Sequence, residues 1–129
     1  SKIKSKNQIL KTSDLIVVCI SYNKKNIDFV NKDFFSKMKK NSVFVNTSRG
    51  EVVNENALIH ALKAKKLKFA LIDVIKNEQH LKTKKNKLIE YAKKCNNLLI
   101  SPHMAGLTEE SEKKAFLISV ENIIKYFKK

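Results

Sequence analysis

Four apolar runs, each too short for a helix, are spaced along the chain, and their spacing constrains the fold more than any other feature. Residues 15–20 (Leu-Ile-Val-Val-Cys-Ile) form a continuous, largely β-branched run, the pattern of a strand buried on both faces. Ser42-Val43-Phe44-Val45-Asn46, the run Leu67–Ile72, and Leu98-Leu99-Ile100 follow in turn. Between and after them the spacing is helical, over residues 32–39, 54–65, 82–94 and 108–127. Strands that alternate with helices predict an α/β fold, a parallel sheet with helices on both faces. The expected helix starts fit. Asn54 precedes an acidic first turn at Glu55, and Thr108 with Ser111 precedes Glu109, Glu110 and Glu112, while Lys125, Lys128 and Lys129 put positive charge at the far end. The lysine-rich stretch 82–87 reads as a solvated helix face.

With 129 residues the chain is one domain at most. Its formal charge of +15, from 27 basic and 12 acidic residues, invites a nucleic-acid reading. The lysines are spread along the whole length, however, and no zinc-finger, RNP or arginine-rich pattern accompanies them, so no specific nucleic-acid partner is expected. Cys19 and Cys95 stand far apart without metal-ligand spacing; they are expected to be reduced, semi-buried residues of a cytoplasmic protein, and no metal site is expected. No window approaches the ~18 apolar residues of a membrane span, and the opening Ser1-Lys2-Ile3-Lys4 lacks an export signal's hydrophobic stretch, so no membrane partner is expected.

Arg49 is the only arginine in the sequence and stands at the foot of the second run, followed by Gly50. Its planar fork grips a carboxylate through two parallel hydrogen bonds, which a lysine ammonium does not do. One reading is an arginine that caps or pairs at a loop. The other is an arginine that receives a substrate carboxylate at the carboxyl end of a parallel strand, where open α/β sheets place ligands. Ser21, Arg49, Asp73, Glu78 and His103 all fall at the ends of successive expected strands, so they converge on one crevice. His103 follows Pro102, which holds Ser101 extended, and Gly106 opens space nearby. His60, on an amphipathic helix, and His80, in a polar loop, read as structural.

These residues carry a resemblance. Residues 13–20, the stretch 38–58 that ends the second strand in Asn46-Thr47-Ser48-Arg49-Gly50-Glu51, Ala70-Leu71-Ile72-Asp73-Val74 with Glu78, and Asn97-Leu98-Leu99-Ile100-Ser101-Pro102-His103-Met104-Ala105-Gly106-Leu107-Thr108 resemble, in order and spacing, the D-isomer-specific 2-hydroxyacid dehydrogenases. The resemblance implies an NAD-dependent oxidoreductase acting on a small 2-hydroxy or 2-keto acid. It implies that Arg49 holds the substrate carboxylate and carbonyl, that His103 is the general acid/base and that Glu78 is its partner. It further implies that Asp73 faces the nicotinamide amide and that Ile20, Ser21, Thr47, Ser48 and Gly106, with Arg49 and His103, line the cofactor.

Departures from the family pattern are Ser21 for a proline, Gln79 for the proline of a Glu-Pro pair, Asn26 for a threonine and Asn41 for a glycine. No G-x-G-x-x-G occurs, and in the family that fingerprint precedes the region present here. Residues 1–129 are therefore expected to be the second half of a Rossmann-type NAD-binding domain with a closing helix. They are expected to form a homodimer or to associate with a missing N-terminal part. A non-catalytic interaction or nucleotide-sensing module derived from the same fold is the alternative.

Overall fold

The fold is taken from a computed structural model that describes residues 5–80 and 85–127. Four strands, β1 (Leu15–Val18), β2 (Ser42–Asn46), β3 (Leu67–Ile72) and β4 (Leu98–Ile100), form one parallel sheet in the order β1-β2-β3-β4. The helices are α1 (Lys6–Thr12), α2 (Lys32–Lys37), α3 (Glu55–Lys63), α4 (Lys87–Ala92) and α5 (Glu109–Phe127).

Asparagine starts three of them. Asn31, Asn54 and Asn86 accept hydrogen bonds from backbone amides of the first turns of α2, α3 and α4, satisfying donors that have no intrahelical partner. The expected helices are shorter than their sequence patterns. Residues 82–84 of the expected third helix, and Lys128 and Lys129 beyond α5, lie outside the described residues. Helix α1 was not expected; a capping box starts it, with Ser5 and Gln8 exchanging side-chain-to-backbone bonds.

Leu10, Phe34, Phe35, Leu58, Ala61, Leu62, Leu88 and Tyr91 from α1–α4 share one hydrophobic core with Ile16, Val18, Phe44, Ala70, Ile72 and Leu98 from the sheet. Helices α1–α4 therefore cover a single face. Each crossover steps one strand in the same direction, and crossovers of constant hand deliver their helices to the same side.

The second face is open. Leu15, Val17 and Leu99 are 53%, 50% and 54% exposed, whereas Ile16 and Val18 are buried. So β1 alternates instead of being buried on both sides, and it ends at Val18, before Cys19 and Ile20. Helix α5 buries none of its residues and leaves Phe116, Leu117, Ile123 and Ile124 exposed. Among the described residues, no helix covers the sheet's second face.

One departure from the family pattern has a backbone reason. Asn41, in place of a glycine before β2, has φ +63°. Asparagine tolerates this left-handed conformation better than other side chains, so the turn into β2 survives the exchange.

Candidate active site at the carboxyl edge

The register places the strand ends level. Val18 pairs with Asn46, Asn46 with Ile72 and Ile72 with Ile100, so Cys19, Thr47, Asp73 and Ser101 follow in a row along one edge. At about 4.8 Å per strand, the loops after β2 and β4 spring from points roughly 10 Å apart. Arg49 is on the first of these loops and His103 on the second.

The Arg49 loop is shaped from inside. Asn46 is 1% exposed; its Oδ1 accepts from the amide and hydroxyl of Ser48, and its Nδ2 donates to the Arg49 carbonyl. Arg49 itself is exposed. Its Nη1 donates to the Ser48 carbonyl at 2.7 Å, it makes no side-chain cap, and no carboxylate among the described residues pairs with it. An arginine that serves as a loop ion pair would have such a partner. This one offers most of its five donors outward.

Gly50 sits where a Cβ would overlap the main chain of Ile75 and Lys76. Glycine is thus what lets the Arg49 loop pass against the segment after Asp73. The obstacle is backbone, which yields little. Gly50→Ala is expected to cost about 3 kcal/mol, the upper part of the usual overpacking range. A urea midpoint unchanged from the parent would contradict this close approach.

The second centre is the His103–Glu78 pair. Glu78 begins a 3-10 turn (Glu78–His80), and Asn77 before it has φ +54°, reversing the chain. His103 Nδ1 lies 2.6 Å from Glu78 Oε1, with both side chains half exposed. A carboxylate only accepts, so Nδ1 carries the hydrogen and Nε2 is free to face a reacting group. Asp73, Ile75, Glu78, Ile100, Ser101 and His103 line a cavity of about 430 Å³ beside the pair. Pro102 and His103 are exposed, and a Cβ at Gly106 would meet nothing within 4 Å, so the loop after β4 is open at both points.

Asp73 lies directly beneath. Burial pushes its carboxyl up, but hydrogen bonds from the Ser101 hydroxyl and the Ala105 and Met104 amides, together with the nearby His103, hold it below the ordinary carboxylate range. Asp73 is therefore ionised at neutral pH.

Cys19, Ile20, Ser21, Tyr22, Thr47, Ser48 and Arg49 line a separate open groove over β1 and β2. Cys19 is exposed where the chain leaves the sheet, not semi-buried as expected, with its Sγ 3.3 Å from Thr47 Oγ1. Asn26 Nδ2 donates to the Ser21 carbonyl at 2.7 Å, so two departures from the family pattern close the same loop. Across the loop after β3, Glu55 Oε1 accepts from the Lys76 amide.

The family model for the "D-isomer specific 2-hydroxyacid dehydrogenase, NAD binding domain" matches residues 1–105. The chain belongs to this family. Glyoxylate reductase/hydroxypyruvate reductase of Homo sapiens is 35% identical over 117 residues, 91% of this chain and 34% of that protein. D-3-phosphoglycerate dehydrogenase of Archaeoglobus fulgidus is 34% identical over 116 residues, 90% of this chain and 21% of its own length. Among solved structures, D-lactate dehydrogenase from Aquifex aeolicus, complexed with NAD and lactic acid, superposes with a TM-score of 0.76 at 28% identity, covering 97% of this chain and 40% of that one. The chain thus spans between about a fifth and two fifths of the length of these relatives.

Three site residues escaped the sequence reading. Asn46, Ser101 and Glu55 each hold a loop through a side-chain bond, and each had looked like an ordinary strand-end or helix-start residue. The signal for Asn46 was a polar side chain closing an otherwise apolar strand. Among the described residues no cluster of His, Cys, Asp or Glu has the makings of a metal site, and no helix is long and apolar enough to cross a membrane.

Proposed function

We propose that residues 1–129 are the second half of a Rossmann-type NAD-binding domain with a closing helix. In the complete protein, on this reading, they serve an oxidoreductase that interconverts a D-2-hydroxy acid and its 2-keto acid. The observation that carries it is a histidine oriented by a carboxylate at 2.6 Å, on the same sheet edge as an arginine that no carboxylate among the described residues pairs. The groove over β1 and β2 suits part of a bound dinucleotide, being lined by Ile20, Ser21, Thr47 and Ser48 on one open flank. No glycine-rich phosphate cradle occurs in the 129 residues.

NAD(H), when bound, supplies or accepts the hydride. Arg49 receives the substrate carboxylate through its fork and places C2 and its oxygen toward the His103 loop. His103 Nε2 takes the hydroxyl proton in oxidation and returns it to the carbonyl oxygen in reduction. Glu78 keeps the proton on Nδ1, fixing the tautomer that leaves Nε2 available.

Steady-state oxidation of NADH by the complete gene product, against glyoxylate, pyruvate, 3-phosphohydroxypyruvate and longer 2-keto acids, tests the reading. Turnover with at least one member is expected. Absence of both turnover and NADH binding would replace it with a non-catalytic module. The two cysteines, both free, support a reducing compartment, and we place the protein in the cytoplasm on that ground.

The open sheet face and the apolar side of α5 are, on the same proposal, covered by the rest of the protein or by a second copy. Exposed patches of this kind mark interfaces. Residues 1–129 expressed alone are expected to self-associate or to bind a hydrophobic dye. A stable monomer in sedimentation that leaves the dye dark would count against it.

A further inference from the structure

One buried carboxylate ties down nearly every residue around His103. Asp73, 6% exposed, accepts at Oδ1 from the Ser101 hydroxyl (2.6 Å) and the Met104 amide (2.9 Å), and at Oδ2 from the Ala105 amide (2.9 Å). Its own carbonyl accepts from the His103 amide at 3.0 Å. Residues 101, 103, 104 and 105 are thus all bound to one residue on the neighbouring strand end.

The segment needs such a hold. His103 has φ +53°, a left-handed conformation that a side chain with a Cβ adopts at a cost. Residues held there persist only where their surroundings over-determine them. Relaxing His103 to ordinary φ would swing the imidazole relative to the backbone and break the 2.6 Å contact with Glu78, which reaches it from the separate loop after β3.

We propose that Asp73, with Ser101, is the positioning residue of the proton-transfer site. Its carboxylate fixes the 101–105 loop so that His103 presents Nδ1 to Glu78 and Nε2 to the substrate. This rests on the reading of His103 as the proton-transfer group, and it assigns Asp73 something other than the ligand-facing role that the family resemblance implies. A carboxylate offers about four acceptor positions, and here three are filled from the loop. A ligand amide is left one position, on Oδ2. Holding the loop is the dominant work of the side chain, and any contact with a ligand is secondary.

The test uses the complete gene product and the variants Asp73→Asn, Ser101→Ala and Ser101→Thr. Asparagine lacks one carboxylate oxygen and so cannot accept from all three loop donors. Asp73→Asn is expected to speed exchange of the Met104 and Ala105 amides by about tenfold or more. Turnover should fall by about 10²-fold, the scale of a misplacement near 1 Å. NADH affinity, read by fluorescence titration, should stay within about threefold of the parent. Ser101→Ala should move the same readouts in the same direction by less, and Ser101→Thr, which keeps the hydroxyl, should restore them.

A large loss of NADH affinity with both amides protected as in the parent would overturn the proposal and make Asp73 a ligand contact. If Asp73→Asn does not fold, Ser101→Ala decides: unchanged amide exchange and turnover overturn the proposal. A parent protein that turns over no 2-keto acid would sink the functional reading, and the amide exchange would still decide whether Asp73 holds the loop.

Discussion

Replacing His103 with alanine in the complete gene product is expected to cut turnover of a 2-keto acid by about 10²–10⁴-fold, the usual contribution of a positioned proton donor. NADH binding should be largely kept. The imidazole lies over β4 beside Glu78, whereas much of the surface suited to the dinucleotide is the groove over β1 and β2, which His103 does not line. The loop's main-chain bonds survive the change. His103 donates its amide to Asp73 and Ser101 carbonyls, bonds that alanine retains, although it must adopt φ +53° without the imidazole–carboxylate contact. A modest loss of loop order is therefore part of the effect, and amide exchange at Met104 and Ala105 measures that part separately. A His103→Ala protein that reduces 2-keto acids at the parent rate across neutral pH would remove the proton-transfer assignment.

What the sequence revealed and what it hid follow from how local each determinant is. The strands were legible because β-branched runs and helical spacing are written in consecutive residues. That the loops of Arg49 and His103 share one edge followed from parallel topology alone, but the single crevice expected there is divided: Ser21 and Arg49 line the groove over β1 and β2, and Asp73, Glu78 and His103 line the other cavity. The open face was not legible. Residues 15–20 read as doubly buried because a continuous apolar run looks the same whether its second cover lies in this chain or elsewhere. Leu15 and Val17 alternate with buried Ile16 and Val18 only because α1–α4 gather on one side.

Side-chain bonds that shape loops were hidden for a different reason. Asn46 and Arg49 are close in sequence, yet nothing in the types Asn, Ser and Arg shows that a buried amide spans the turn. Asp73 and Ser101 lie 28 residues apart and meet only once β3 and β4 pair. Asn41 shows the converse: an apparent departure became intelligible through a single dihedral angle.

The second large effect belongs to Arg49. Arg49→Lys keeps the charge and removes the fork, and it is expected to lower kcat/KM for a 2-keto acid by about 10²-fold or more, because substrate orientation depends on two parallel bonds. Little of this should come from folding. The guanidinium's bond is to the adjacent Ser48 carbonyl, while the loop itself is held by the Asn46 side chain and by the passage of Gly50 under Ile75. Thermal stability should therefore stay close to the parent while catalysis falls, a combination that an arginine serving to tie the loop would not give. The split between constants adds a second discrimination. A clamp that mainly binds the ground-state carboxylate raises KM with turnover preserved, and one that also steadies the developing charge on the carbonyl oxygen lowers kcat as well. On the proposed reading Arg49 also steadies the carbonyl oxygen, so both constants are expected to move. An Arg49→Lys protein with parental kcat/KM would show that charge alone suffices at this position and would return Arg49 to the class of surface cations.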